Sequence, residues 1–224
     1  MRQAVIILAV MVLAAGAACA HQPRIAFGSR HTRQAPINVE KPEISKAYYG
    51  NLTGEPDYYR IDSAKAFKLY INILTPDEPG ARTDTEVEVA KDGEVITTIG
   101  GSAAKWNKFY EKYAADSYLR GREFAKTAGP GTYYIRVYNS DNRGKYSLAI
   151  GDVESFPLDE TIKTAFTLPV IKKEFFNKSA ISAFLNPVGG FLAAELAIAI
   201  GMACLALFII RMLIKRTRAN NRTL

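Results

Sequence analysis

Apolar and polar residues alternate along much of the chain between positions 43 and 152, in runs that end at turn-forming residues. Alternation with a period of two is typical of half-buried β-strands. The pattern predicts strands at 45–52, 57–62, 67–74, 85–90, 94–99, 132–139 and 145–150. Short strands at this spacing predict an all-β domain over residues 43–152, folded as a β-sandwich.

The strand at 132–139 shows the alternation most clearly. One set of side chains consists of Tyr133, Ile135 and Val137. The other set consists of Tyr134, Arg136 and Tyr138. Because successive side chains of a strand point to opposite sides, the two sets lie on opposite faces of the predicted sheet.

An insert at 102–124 interrupts the strand pattern and contains the only tryptophan of the chain. Trp106, Phe109, Tyr110 and Tyr113 follow the spacing of one helix face, which predicts a short amphipathic helix. Either these aromatic side chains pack on the sandwich, or Trp106, Tyr110 and Tyr113 form a ligand-binding surface for a glycan or a protein.

The first apolar run, residues 1–20, has the features of a signal peptide. A short positive end precedes an apolar stretch, and Ala18 and Ala20 form a small-x-small cleavage site. Cleavage there makes His21 the first residue of an N-terminal extended segment, 21–42, and places the β-sandwich outside the cytoplasm.

The second apolar run, 188–210, has 23 residues and would span roughly 34 Å as a helix, enough to cross a bilayer core. We expect a single transmembrane helix at 187–210 and a basic cytoplasmic tail at 211–224, by the positive-inside rule. This topology predicts a single-pass protein of the cytoplasmic (inner) membrane.

Residues 153–186 are predicted to form a helical stalk between the sandwich and the membrane. Helices are expected at 157–168 and 170–185, with Pro169 starting the second. Phe175, Phe176 and their lysine neighbours predict a segment that lies at the membrane surface or extends the spanning helix.

Two features of the predicted spanning helix indicate a partner in the membrane. Small residues recur at every fourth position, which allows a second helix to approach closely. These positions are Gly189, Ala193, Ala197 and Gly201. Glu195 lies on a different face, and a carboxylate at that depth is costly unless protonated, hydrated or paired. We therefore expect a membrane protein partner or a homo-oligomer.

Charge and residue counts exclude several classes of function. The formal net charge is +7, but six of the 29 Lys and Arg residues are Arg2 and the basic residues of the tail. The remaining chain is nearly neutral, which argues against nucleic-acid binding. Cys19 and Cys204 both lie in apolar runs, so the sandwich has no thiol for a disulfide, a nucleophile or a zinc site.

The two histidines suggest one alternative function. A chain that begins at His21 can chelate a metal through its terminal amine and its imidazole, and His31 could add a second imidazole. Three nitrogens in this arrangement, a histidine brace, suit copper and predict a copper-binding or copper-delivery protein. The competing interpretation is that both histidines are solvated, beside Arg24 and Arg30, which disfavour a cation.

Four motifs resemble one known family. They are AYYGNL at 47–52, PDYYRI at 56–61, GTYYIRV at 131–137 and GKYSL at 144–148. Together they are similar to the bacterial pre-peptidase C-terminal (PPC) domain. The resemblance implies a small jelly-roll-like β-sandwich, of the kind appended to secreted peptidases, where it assists targeting or substrate binding.

The leading hypothesis is a non-enzymatic, membrane-anchored extracytoplasmic protein that binds or scaffolds a partner, as an accessory subunit of a membrane complex. Copper handling through His21 and His31 is the alternative. A hydrolase is a third hypothesis, since the sandwich offers only carboxylates for catalysis.

Overall fold

The computed structural model describes residues 21–112 and 114–220, except for some side chains of the helices. The predicted signal peptide and Tyr113 lie outside the described residues. The strands are β1 Gln22–Ile25, β2 Ile37–Asn38, β3 Lys46–Thr53, β4 Asp57–Ser63, β5 Phe67–Pro76, β6 Glu86–Lys91, β7 Glu94–Gly100, β8 Asn107–Glu111, β9 Asp116–Ala128, β10 Gly131–Tyr138 and β11 Arg143–Ile150. They are followed by helix α1 Leu158–Val170, a π-helical turn Ile171–Phe175, a 3-10 turn Ala180–Ala183 and helix α2 Pro187–Asn220.

The strands form two sheets that pack face to face, which confirms the predicted β-sandwich. The first sheet has six strands in the order β1-β3-β11-β5-β9-β8, and the second has five in the order β2-β4-β10-β6-β7. Strand pairs are antiparallel except β1 with β3 and β2 with β4, which are parallel. Side chains from both inner faces fill one apolar core.

The N-terminal segment belongs to the sandwich, although the sequence pattern assigned 21–42 to an extension. Strand β1 joins the edge of the first sheet, where Gln22 N–H donates to Ser45 O at 2.9 Å and Ala26 N–H to Tyr49 O at 2.7 Å. Strand β2 joins the edge of the second sheet. These additions rest on backbone hydrogen bonds, which leave no alternation in the sequence.

The helix predicted in the insert is wrong, because residues 107–111 form strand β8. This strand pairs with β9, so that Phe109 lies opposite Tyr118 and Tyr110 lies opposite Ser117. In a strand, Phe109 and Tyr110 point to opposite faces, whereas a helix would place them on one. Backbone pairing within the hairpin outweighs a helical spacing that covers only four aromatic residues.

The C-terminal segment also differs in detail from its prediction. Helix α1 runs through Pro169 and widens into the π-helical turn immediately afterwards, so the proline does not begin a new helix. Among the described residues, no helix combines the length and the apolarity that a membrane span requires.

Three of the sequence motifs meet at one point of the core. Tyr146 lies opposite Gly50 in the β3–β11 register, and its ring covers the glycine. The Tyr146 hydroxyl donates to the Asp57 carboxylate at 2.7 Å. Because Tyr146 has one proton to donate, Tyr59, whose hydroxyl lies 2.8 Å away, donates to Tyr146. A buried chain of hydrogen bonds therefore joins both sheets.

Replacing Gly50 with alanine is expected to destabilise the sandwich. A Cβ at Gly50 would lie 2.1 Å from Cζ of Tyr146, a ring that its two hydrogen bonds hold in place. We expect Gly50→Ala to lower the free energy of unfolding by about 1–3 kcal/mol, measured by urea unfolding of the full chain in detergent. Gly129→Ala is the control, since its Cβ would lie 3.8 Å from Lys91 Nζ. An equal loss of stability in both variants would contradict the explanation.

Burial makes the contribution of Asp57 to stability change with pH in the direction opposite to that of an ordinary ion-paired carboxylate. Burial raises the pKa of Asp57 above its usual 3.8, so the neutral form is favoured in the folded state. Its contribution to stability is present below 3.8 and is lost as the pH rises through the raised pKa. The difference in unfolding free energy between the wild type and Asp57→Asn should therefore fall as the pH rises above 3.8.

Asp84 provides the opposite control. Hydrogen bonds from Arg82 lower the pKa of Asp84 to about 2. The contribution of Asp84 is present above the usual 3.8 and is lost as the pH falls through about 2. The difference in unfolding free energy between the wild type and Asp84→Asn should thus rise with pH. If this difference changed with pH in the same direction for both aspartates, the opposite pKa shifts of Asp57 and Asp84 would be refuted.

Candidate binding face

The C-terminal segment covers the outer face of the six-stranded sheet. We call residues 158–186 the docked segment. Its buried apolar side chains pack on this sheet face, and Phe175 meets the Tyr49 ring edge-on with centroids 5.1 Å apart. Phe176 meets the Tyr118 ring in the same way at 5.5 Å. The cluster consists of Ala47, Tyr49, Leu74, Tyr118, Ala149, Ile171, Phe175 and Phe176.

A buried ionic cluster fixes the docked segment to the sandwich. Asp116, the first residue of β9, accepts hydrogen bonds from Lys172 Nζ at 2.6 Å and from Lys178 Nζ at 2.8 Å. The side chains of Asp116 and Lys172 are only 2% exposed. Burial lowers the pKa of Lys172, while Asp116 opposes that shift. The lysine side chain also donates to the carbonyl of Ala114, so its ammonium has several acceptors.

The docked segment and the residues just before it also contact the edge strand β1. Glu160 of α1 pairs with Arg24 at 2.9 Å, and Gln22 Nε2 donates to Ser155 O at 2.7 Å. Helix α1 thus lies along β1 and covers its outer edge. The segment that was expected at the membrane surface therefore packs mainly on the sandwich, although Leu185 remains 76% exposed.

No comparable segment of the described residues covers the outer face of the five-stranded sheet. Its side chains alternate along β4 and β10 with core residues that are fully buried. We call this surface the tyrosine–arginine face. It consists of Tyr58, Arg60, Tyr134, Arg136 and Tyr138, all partly exposed.

Guanidinium groups stack on the rings of this face. Arg33 Cζ lies 4.8 Å from the centroid of Tyr134, and Arg60 Cζ lies 5.9 Å from the same ring. Arg136 Cζ lies 4.1 Å from the centroid of Tyr138. Tyrosine and arginine are among the side chains most enriched at the hot spots of protein interfaces, and stacking a guanidinium group on a ring is itself favourable.

Acidic groups orient two of these side chains. The Tyr138 hydroxyl donates to Glu86 at 2.7 Å, and burial together with this carboxylate raises the pKa of Tyr138 to about 12. Glu88 lies 4.0 Å from Arg136. Arg136 Nε is buried and has no hydrogen-bond partner among the described residues. The face therefore offers aromatic rings that a hydrogen bond and stacked guanidinium groups hold in place.

The structure does not bring the two histidines together. The Nδ1 atom of His21 contacts the Ser45 hydroxyl, and His31 Nε2 lies 3.0 Å from Ala26 O. His21 and Ala26 lie at opposite ends of β1, roughly 16 Å apart along an extended chain. The nitrogen of His21 that could chelate together with the terminal amine is thus engaged by Ser45. No group of three or more His, Cys, Asp or Glu residues among those described could hold a metal ion.

The predicted aromatic surface of the insert is divided between two environments. Trp106 packs against the core, and its Nε1 donates to Gly101 O at 3.1 Å. Tyr110 is 56% exposed, and Tyr113 lies outside the described residues. Trp106 therefore contributes to packing, which leaves Tyr110 as the exposed aromatic residue of the described pair.

The small residues of α2 are not equivalent. Gly189 is buried, and a Cβ there would lie 2.2 Å from the Cα of Phe184, so its small size serves a contact within the chain. Ala193 and Ala197 are exposed, and Gly201 has open space around it. The side chain of Glu195 lies outside the described residues.

Comparisons with known proteins give matches to solved structures alone. No protein-family model matches the chain, and no curated protein matches it. The chain is similar to the pre-peptidase C-terminal domain of a collagenase from Bacillus anthracis, with 19% identity and a TM-score of 0.33 over 58% of this chain and 94% of that one. This is the domain that the sequence motifs resemble.

Two β-glucosidases also match over part of their length. The enzyme from Kluyveromyces marxianus is 13% identical with a TM-score of 0.27, over 51% of this chain and 13% of that one. The enzyme from Paenibacillus barengoltzii is 9% identical with a TM-score of 0.28, over 58% of this chain and 13% of that one.

Removing the Asp116 carboxylate is expected to release the docked segment. Asp116→Ala leaves Lys172 buried without its partner, a change that costs about 3–5 kcal/mol. Hydrogen exchange of the full chain in detergent should become faster at 171–176, while β10 and β11 stay protected. Asp77→Ala is the control, because Asp77 pairs at 3.2 Å with Lys108, whose side chain is 82% exposed. Unchanged exchange at 171–176 in Asp116→Ala would show that the aromatic contacts suffice without the ion pairs.

Proposed function

We propose that this chain is a non-enzymatic, membrane-anchored binding protein that presents the tyrosine–arginine face to a partner outside the cytoplasm. The observation that carries the proposal is that the outer faces of the two sheets differ in how much of the chain packs on them. The outer face of one is covered by the chain's own docked segment, and the other displays stacked tyrosine and arginine side chains. A surface of this composition favours a folded protein partner.

The membrane anchor in this proposal rests on the apolar run at 188–210 and the basic residues that follow it. Helix α2 includes this run, and several of its large apolar side chains are not covered by other described residues: Leu205 is 59% exposed and Phe208 is 63% exposed. A lipid environment would bury these side chains. The basic residues at 211–218 would then lie on the cytoplasmic side.

A binding role is supported by the way the buried carboxylates are used. Asp57 accepts a hydrogen bond from Tyr146, and Asp116 accepts hydrogen bonds from two lysines. Both groups hold structural elements together. The groups on the outer surface of the second sheet, in contrast, are arranged for contact.

A second contact of the assembly would lie within the membrane. Ala193 and Ala197 are exposed and Gly201 has open space around it within the described part of the chain, and their four-residue spacing suits a closely packed helix of another subunit. The chain would then be an accessory subunit that contacts a membrane protein, or a second copy, through α2 and a partner through the sandwich.

Changes to the tyrosine–arginine face should disrupt the assembly without unfolding the protein. The full chain is extracted from its own membranes with mild detergent, after an alkaline wash that an anchored protein should resist, and the particle mass is measured by light scattering. We expect the wild type to form a particle larger than the monomer. In Tyr134→Ser/Arg136→Ser the amount of that particle should fall by about tenfold.

The matched control is Lys108→Ser/Tyr110→Ser, which removes one cation and one tyrosine from β8 of the other sheet. Both residues are exposed, so the control variant should keep the large particle. A monomeric wild type, or equal behaviour of the two variants, would count against the proposed face.

A further inference from the structure

The outer edges of the two sheets are protected unequally. Strand β1 is covered by α1, β2 has only two residues, and β8 carries Lys108 and Glu111. Cover, brevity and charge are the usual means by which proteins prevent an edge strand from pairing with another chain. Strand β7 is the remaining strand at the edge of a sheet. It has no charged residue after Glu94, and among the described residues it contacts β9 of the other sheet but has no partner strand on its outer edge.

Strand β7 has the composition of a strand that accepts a partner. Within the described residues it pairs only with β6, and its residues after Glu94 are apolar, threonine or glycine. Val95 is 57% exposed and Ile96 is 42% exposed. A bulge at Ile96 interrupts the register, and regular pairing continues from Thr97 to Gly100. The backbone groups on the free side of this regular part can bind an added strand.

A cavity of about 200 Å³ opens beside this edge. Its lining includes Leu69, Ile96, Phe124 and Tyr133, so most of its wall is apolar. Strand β9 pairs with β8 from Asp116 to Arg120, and the second half of β9 has no partner strand on that side among the described residues. The cavity therefore lies between two open edges, and the bulge places Ile96 in its wall. An apolar cavity of about 150 Å³ can hold benzene, so this one has room for an aromatic side chain.

Two lysines give the cavity a charge preference. Lys91, at the end of β6, and Lys126, on β9, both belong to its lining. Neither forms an ion pair with a described residue, and the Lys91 ammonium lies 5.7 Å from the centroid of the Tyr133 ring. An acidic side chain at the mouth of the cavity would meet both cations.

We propose that the free edge of β7 and the adjoining cavity form a strand-addition site for an extended peptide. The peptide would pair with β7 through its backbone, place one large apolar side chain in the cavity, and direct an acidic neighbour towards Lys91 and Lys126. The occupant is a segment of another protein. This site is separate from the tyrosine–arginine face, so either proposal can fail without the other.

The test uses the full chain in mild detergent and a synthetic, fluorescently labelled peptide. The peptide alternates valine and threonine around one phenylalanine, with a glutamate on each side of it, and a second peptide carries lysine in place of glutamate. Fluorescence anisotropy should give about tenfold tighter binding of the acidic peptide, and bound peptide should slow hydrogen exchange at 95–100.

Charge reversal at the cavity provides the decisive comparison. Lys91→Glu/Lys126→Glu should weaken binding of the acidic peptide by about tenfold, while Lys105→Glu/Lys108→Glu, with the same change in net charge beside and on β8, should change it by less than about twofold. Equal affinity for both peptides, or binding without protection of β7, would refute the site. Self-association of the chain through β7 that the peptide fails to displace would also refute it, in favour of a second copy as occupant.

Discussion

The arrangement of exposed and covered surfaces depends on one carboxylate, that of Asp116. It accepts hydrogen bonds from Lys172 and Lys178, which follow it by 56 and 62 positions in the sequence. Burying these charges costs several kcal/mol per ion, and close pairing with further hydrogen bonds is what offsets that cost. Ion pairs of this kind add little net stability compared with apolar packing, but the loss of one partner leaves a buried charge uncompensated. Here the pairs hold the segment that seats Phe175 and Phe176 on the first sheet, and the second sheet has no comparable cover among the described residues.

The buried ion pairs also explain why the stalk could not be placed from the sequence. Phenylalanines among lysines at 172–178 suit a membrane surface as well as they suit a sheet of tyrosines. The choice depends on Asp116, whose distance in the sequence leaves no local signal. The same reasoning applies to β1 and β2, because edge additions through backbone hydrogen bonds impose no periodicity on side chains.

Regular strands could be predicted where alternation had many residues to support it. The strands predicted at 132–139 and 145–150 agree with β10 and β11 to within two residues. The prediction also placed Tyr134, Arg136 and Tyr138 on the face opposite the core residues, which is where the candidate binding face lies. In the insert, four aromatic residues happened to follow a helical spacing, and the pairing of β8 with β9 determined the structure instead. The histidines were close in sequence but are separated by the length of a strand.

The junction between the sandwich and α2 has a mechanical consequence. Asn186 donates to the carbonyls of Ala114 and Ser182 and accepts the N–H of Gly189 at 2.8 Å, and Gly189 is itself pressed against Phe184. These contacts tie the first turn of α2 to the loop that precedes β9. A pull along α2 would therefore reach the sandwich through the hydrogen bonds of Asn186 as well as through the backbone.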